Sequence, residues 1–191
     1  EIVDDIHIAI GDMYDDEDTV FLYELKADLA AYFNTSGAPV ESLADVIAFN
    51  KAHADTVMPF FGQDYFLLAQ ESGPLTDEAY QAALENSKRA ARAGIDGALN
   101  ENELDALIAP TNGPAWMIDH VNGDTFSVGS SSLAAVSGYP NIAVPAGFVS
   151  GLPIGLSFIG KPWNEKQLIE IAYAFEQATG VRRAPALSSG N

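Results

Sequence analysis

The spacing of apolar residues changes once along this chain, close to residue 104. Upstream they recur every three or four positions, as on one face of a helix. Downstream they gather in short runs closed off by proline or glycine. The first ten residues are the exception upstream. Ile2, Ile6, Ile8 and Ile10 alternate loosely with Glu1, Asp4 and His7, which predicts a strand. Phe21, Leu22, Leu25, Leu29, Tyr32 and Phe33 then predict a helix over about 18–34, ended by Gly37 and Pro39. Ser42 with Asp45 can cap a second helix over about 43–53. Phe60-Phe61-Gly62 interrupts the pattern, and a short helix is expected over 64–71. Thr76 can cap a long helix over about 77–100, with Gly94 and Gly97 as its weak points.

The downstream runs are Leu104 to Thr111, Ser137 to Gly147 and Gly151 to Gly160, and each reads as a buried strand. Ser150-Gly151 is a plausible hairpin turn between the last two. Pro140, Pro145 and Pro153 sit where a ladder needs donors, so irregular backbone is expected at the strand ends. Leu133 to Val136 read as a short helix. Residues 164–179 read as an amphipathic one, with Leu168, Ile171, Ala172 and Phe175 buried and Gly180 as its stop. Residues 184–191 look like a frayed tail. The fold class these elements give is α/β: one domain of 191 residues, mostly helical after a first strand as far as 103, then strands, a hairpin and a C-terminal helix, the sheet mixed and flanked by helices.

Composition narrows the partners. Nine basic against 27 acidic residues leave a net charge of −18, which argues against nucleic acid or an anionic membrane as a partner. There are no cysteines, hence no disulfides and no thiolate metal site. No apolar run is long enough to span a membrane, and no signal peptide is visible, so a cytoplasmic protein is expected. The start at Glu1-Ile2-Val3, without methionine, fits a fragment. No cofactor or metal is expected. Asp12, Asp15, Asp16, Glu17 and Asp18 lack calcium-loop spacing and read as a solvated loop leading into a helix.

Candidate chemistry is sparse. Lys88, Arg89 and Arg92 fall together on the long helix and read as a solvated basic face rather than an anion site. The aromatics of the helical half, from Phe21 to Phe66, read mostly as core, with one or two available to line an apolar channel. Residues 112–129 form a long loop, and Trp116 on it is the first candidate for a pocket wall, or else a pin holding the loop to the core. His120 beside Asp119 suggests a catalytic pair but reads better as a lone exposed histidine. Ser130, Ser131 and Ser132 open a helix, where serine ordinarily caps but a hydroxyl could also face a pocket.

Three blocks are more specific than these single residues. Leu104-Asp105-Ala106-Leu107-Ile108-Ala109-Pro110-Thr111 is followed by Pro114-Ala115. Gly138-Tyr139-Pro140-Asn141-Ile142-Ala143-Val144-Pro145-Ala146-Gly147 comes next, and Gly151-Leu152-Pro153-Ile154-Gly155-Leu156-Ser157-Phe158-Ile159-Gly160 completes the set. With Glu165, Leu168 and Ala174-Phe175-Glu176, their order and spacing resemble the C-terminal part of the amidase signature family. The resemblance implies part of that family's fold and a small-molecule amide as substrate of the full-length enzyme. It also implies hydrolysis by a Ser–Ser–Lys triad, in which lysine acts through a second serine to activate the nucleophile. A hydroxyl is a poor nucleophile at neutral pH without such a base. Nothing here matches the segment that carries the triad, so no catalytic residue is expected in this chain. By the same resemblance, Ser130, Ser131 and Ala134 would line the pocket beside Trp116. Two alternatives stand beside this reading. One is a non-catalytic amidase-like binding or assembly module. The other is a self-contained serine hydrolase using Ser130–Ser132 with Lys161 or His120, although Gly129-Ser130-Ser131-Ser132-Leu133 lacks the second glycine of a nucleophile elbow. A sheet edge left open in the isolated chain would favour self-association.

Overall fold

The computed structural model describes residues 1–185. The described chain divides into two compact units, a helical one over Gly11–Ala90 with His120–Asn122, and a sheet-bearing one over Glu1–Ile10, Ala91–Asp119 and the residues from 123 on.

The helical unit is built from α1 (Met13–Ser36), α2 (Leu43–Ala52), the single turn α3 (Ala54–Val57), α4 (Asp64–Glu71) and the first half of α5 (Glu78–Glu101). Its buried side chains include Met13, Leu43, Ala69, Tyr80 and Ala83. The acidic run does not precede α1 as a loop. It forms the first turns of the helix, which starts at Met13, because carboxylates suit the positive end of a helix dipole. Gly37, at φ 69°, closes α1 in the left-handed conformation. The cap of α2 is as expected. Ser42 Oγ accepts from the Asp45 amide at 3.3 Å, and Asp45 Oδ2 accepts from the Glu41 amide at 3.1 Å. Two polar ties hold the helices in place. Tyr80 Oη donates to Glu24 at 2.7 Å, and Lys26 Nζ donates to the Gln70 carbonyl at 3.0 Å and to that of Ser72, closing the C-terminal end of α4.

The sheet unit holds β1 (Leu107–Pro110), α6 (Ser131–Ser137), β2 (Asn141–Val149), β3 (Leu152–Ile159) and α7 (Glu165–Thr179). The strand order is β1-β3-β2, and the expected mixed sheet is antiparallel throughout over the described residues. Between β2 and β3 the two-residue turn allows nothing else. Ser150 (φ 51°) and Gly151 (φ 84°) both adopt positive φ, as a two-residue hairpin on twisted strands requires. The register of β2 slips between Pro145 and Gly147, where a proline cannot donate to the ladder. One core cluster joins Ile95, Leu99, Leu107, Ala134 and Ile159, and a second joins Phe158, Leu168 and Ala172. Gly180 (φ 58°) ends α7 as the sequence indicates. The tail expected over 184–191 lies outside the described residues from 186 on.

Two further stretches differ from expectation. Residues 1–10 form no strand. A strand exists only with a partner edge, and here Ile6 and Ile8 instead pack onto the Ile95–Leu99 core. Gly94 permits that approach, since a β-carbon there would stand 2.6 Å from Ile8 Cγ2. The apparent weak point of α5 is thus a contact surface. The strand expected from 104 starts at Leu107. Glu103 (φ 52°) turns left-handed, and the Leu104 amide bonds the Leu99 carbonyl at 2.9 Å, a helix-ending motif that uses up the intervening residues. No helix among the described residues is long and apolar enough to cross a membrane.

Candidate functional site

The loop over 112–129 is closed at its neck. Asn112 and Gly129 form an antiparallel bridge, and the Gly113 amide donates to the Val128 carbonyl at 3.0 Å. Below the neck stands Thr111. Its amide donates to the Gly155 carbonyl at 2.9 Å, its carbonyl accepts from the Ser130 amide at 3.3 Å, and its hydroxyl lies 2.8 Å from that of the buried Ser157. A β-carbon on residue 155 would stand 2.8 Å from Thr111 Oγ1, so only glycine leaves room for this arrangement. One residue therefore joins the end of β1, the middle of β3 and the start of α6.

Of the expected pocket residues, Ser130 meets this joint through its amide. Ser130 is the residue before α6, yet its side chain makes no capping bond. Its Oγ is buried and has no hydrogen-bond partner among the described residues. Such a group costs about 1–3 kcal/mol when left unsatisfied, and in native proteins it calls for an explanation. Ser131 is exposed on the first turn of α6. Ala134 is 4% exposed and packs in the core with Ile95 and Leu107, so it supports α6 from beneath. Trp116 sits just beyond the neck, 40% exposed. Its Nε1 donates to Asp124 at 3.1 Å and its ring meets Phe126 edge-on at 6.5 Å, so its partners are loop residues rather than the core.

The bases weighed for a self-contained hydrolase are engaged elsewhere. Lys161 Nζ donates to Asn100 at 2.5 Å. His120 belongs to the helical unit, where its ring stacks on Phe60 at 3.8 Å and 9°. Phe60 and Phe61 also line an open groove of about 550 Å³ with Met58 and Tyr65. Of the three basic residues on α5, Lys88 and Arg89 face solvent, whereas Arg92 Nε donates to the Ser137 carbonyl at 2.9 Å.

Tyr139 adds a second tie between α5 and the end of α6. Its hydroxyl donates to Asp96 Oδ2 at 2.9 Å. Burial, and then the hydrogen bond to Asp96, push its phenol above the ordinary tyrosine range, and the Arg92 guanidinium opposes them. Residue-by-residue reading missed these polar ties. Ser157, a lone hydroxyl inside an apolar strand, was the one signal that a partner must exist. Because the fold raises the Tyr139 pKa, its stabilising contribution is complete below the unfolded value of 10.0 and is lost as pH rises through the folded one. Tyr139→Phe is expected to cost about 1 kcal/mol near neutral pH and to flatten the loss of stability above pH 10. Urea unfolding between neutral and alkaline pH checks this, and an unchanged alkaline slope would refute it.

The family model described as Amidase matches residues 20–169. A probable amidase of Arabidopsis thaliana is 38% identical over 186 residues, which are 96% of this chain and 33% of that protein. Native peptide amidase from Stenotrophomonas maltophilia superposes with a TM-score of 0.84 at 47% identity, covering 94% of this chain and 36% of its own. A structure of the peptide amidase PAM with the competitive inhibitor chymostatin gives 0.87 at 49%, over 93% of this chain and 36% of that one. An amidase family protein from Bacillus anthracis gives 0.78 at 32%, over 97% and 33%. This chain spans about a third of the length of each. With an α/β architecture that superposes on amidase signature proteins and a family match over most of its length, the chain belongs to the amidase family.

Proposed function

We propose that this chain is the C-terminal portion of a hydrolase that cleaves carbon–nitrogen bonds of peptide amides, and that its nucleophilic serine, second serine and lysine lie in sequence outside it. The observation that carries this reading is the match of 93% of the chain, at 49% identity, to 36% of a peptide amidase. By contrast, a glutamyl-tRNA(Gln) amidotransferase polypeptide of Clostridium acetobutylicum matches over 40% of the chain. In such a hydrolase the serine oxygen would attack the amide carbon while its proton passes through the second serine to the lysine. The amine would leave with a proton, and water would release the acid from the acyl-serine. Donors to the developing oxyanion are worth about 100-fold or more in rate. This chain would contribute a wall of the pocket. Ser130, its Oγ buried and unpartnered among the described residues, and Ser131 would belong to that wall, and Trp116 on the loop would add to it.

The local chemistry supports this over a self-contained hydrolase, because no base among the described residues bonds to Ser130 Oγ. A fluorophosphonate probe, read by intact mass and peptide mapping, tests the difference. No adduct is expected on this chain. A stoichiometric adduct on Ser130, Ser131 or Ser132 would promote the self-contained reading.

The reading also bears on assembly. The outer edges of β1 and β2 have no strand partner among the described residues. β2 is interrupted by Pro145 and its register slip, which leaves the proline-free run Leu107–Ala109 of β1, with Ile108 49% exposed, as the more continuous edge. The isolated chain should therefore self-associate through β1. Size-exclusion with light scattering is expected to show dimers or larger species, and Ile108→Lys should dissolve them. A monomer at high concentration would refute it.

A further inference from the structure

Ser42 and Ser130 hold the same place before two helices, α2 and α6, and behave differently. Ser42 is extended, at φ −148° and ψ 164°, and its Oγ accepts from the Asp45 amide at 3.3 Å. A serine cap ordinarily has such extended backbone. Ser130 stands at φ −128° and ψ 12° and makes no capping bond. Its Oγ is buried with no hydrogen-bond partner among the described residues. The first amides of any helix have no acceptor within that helix. A hydroxyl in need of a partner and a helix start in need of an acceptor are thus adjacent, and the side chain does not join them.

The neck of the loop over 112–129 holds Ser130 in this state. The Ser130 amide donates to the Thr111 carbonyl at 3.3 Å, beside the Asn112–Gly129 bridge and the bond from the Gly113 amide to the Val128 carbonyl at 3.0 Å. A β-carbon on Gly129 would stand 2.9 Å from Asn112 Oδ1, so the closed neck has little slack. Turning ψ of Ser130 from 12° towards the 164° of Ser42 swings the chain on one side of it against the chain on the other. Ala134 anchors α6 in the core, so the loop side has to move, and the neck bonds break. The closed neck and the cap therefore exclude each other. We propose that Ser130 is a two-state latch: its hydroxyl is sealed and unpartnered with the neck closed, and caps α6 through the Leu133 amide with the neck open. The unmet hydroxyl raises the closed state and the cap lowers the open one, so the neck opens more readily than the sheet beneath it. Thr111 stays on the sheet in both states, held by the Gly155 carbonyl at 2.9 Å and by Ser157 at 2.8 Å. The two states differ in bonds of this chain alone, so the latch stands apart from the reaction proposed above.

Amide hydrogen exchange of the whole chain, followed by NMR, tests this. The Gly113 amide reports the neck and the Thr111 amide the sheet. In the unsubstituted chain Gly113 is expected to exchange about tenfold faster than Thr111, or more. Ser130→Ala removes both the unmet hydroxyl and the cap, and should slow Gly113 exchange about fivefold. Ser130→Asp caps well but is costly to bury unpaired, and should speed Gly113 exchange by a similar factor while Thr111 stays protected. The unsubstituted chain and Ser130→Ala decide the matter even if Ser130→Asp fails to fold. Equal protection of Gly113 and Thr111, or a Gly113 rate that Ser130→Ala leaves unchanged or raises, would overturn the proposal.

Discussion

A pair of hydroxyls, Thr111 Oγ1 and Ser157 Oγ at 2.8 Å, is the interaction on which the candidate site depends. Ser157 is buried on the central strand, where an unmatched hydroxyl would cost about 1–3 kcal/mol. Thr111 supplies the match only because Gly155 leaves space beside it. With its side chain so fixed, its backbone sets the height of the loop neck and the starting point of α6 through the Ser130 amide. The start of α6 and the neck of the loop are therefore placed by the sheet rather than by the loop that carries Trp116. Loops that carry function commonly rest on a rigid frame in this way.

The same frame holds together over a stretch that matches about a third of its relatives' length. Its core clusters close around Ile95, Leu107 and Ile159, and around Phe158 and Leu168, so the sheet unit has an interior of its own. Among the described residues its sheet nevertheless ends in two open edges, and one hydroxyl at the base of the loop lacks a partner. In the helical unit, aromatic rings stand in solvent along α1.

How legible this was depended on where the physics is local. Glycines at helix ends, the Ser42–Asp45 cap and the Ser150-Gly151 turn act through neighbouring residues, and each appears where the sequence puts it. Alternating isoleucines at the start predict a strand only if a partner edge is within reach, and packing against α5 won instead. The acidic run reads as loop because charge suggests solvent, yet charge at a helix start is also stabilising. Glu103 turns left-handed without a glycine to announce it. The family blocks between Leu104 and Gly160 were legible because they mark the sheet. Which hydroxyl meets which is settled by strand register, and a single chain does not spell that out.

The central claim is that the chemistry of this chain is completed by sequence beyond it. The most direct measurement is ammonia release from a C-terminal peptide amide by the purified chain, across a range of chain and substrate concentrations. No release above the uncatalysed rate is expected. Saturable turnover proportional to chain concentration, and abolished by Ser130→Ala, would contradict the claim and place the nucleophile at the foot of the loop.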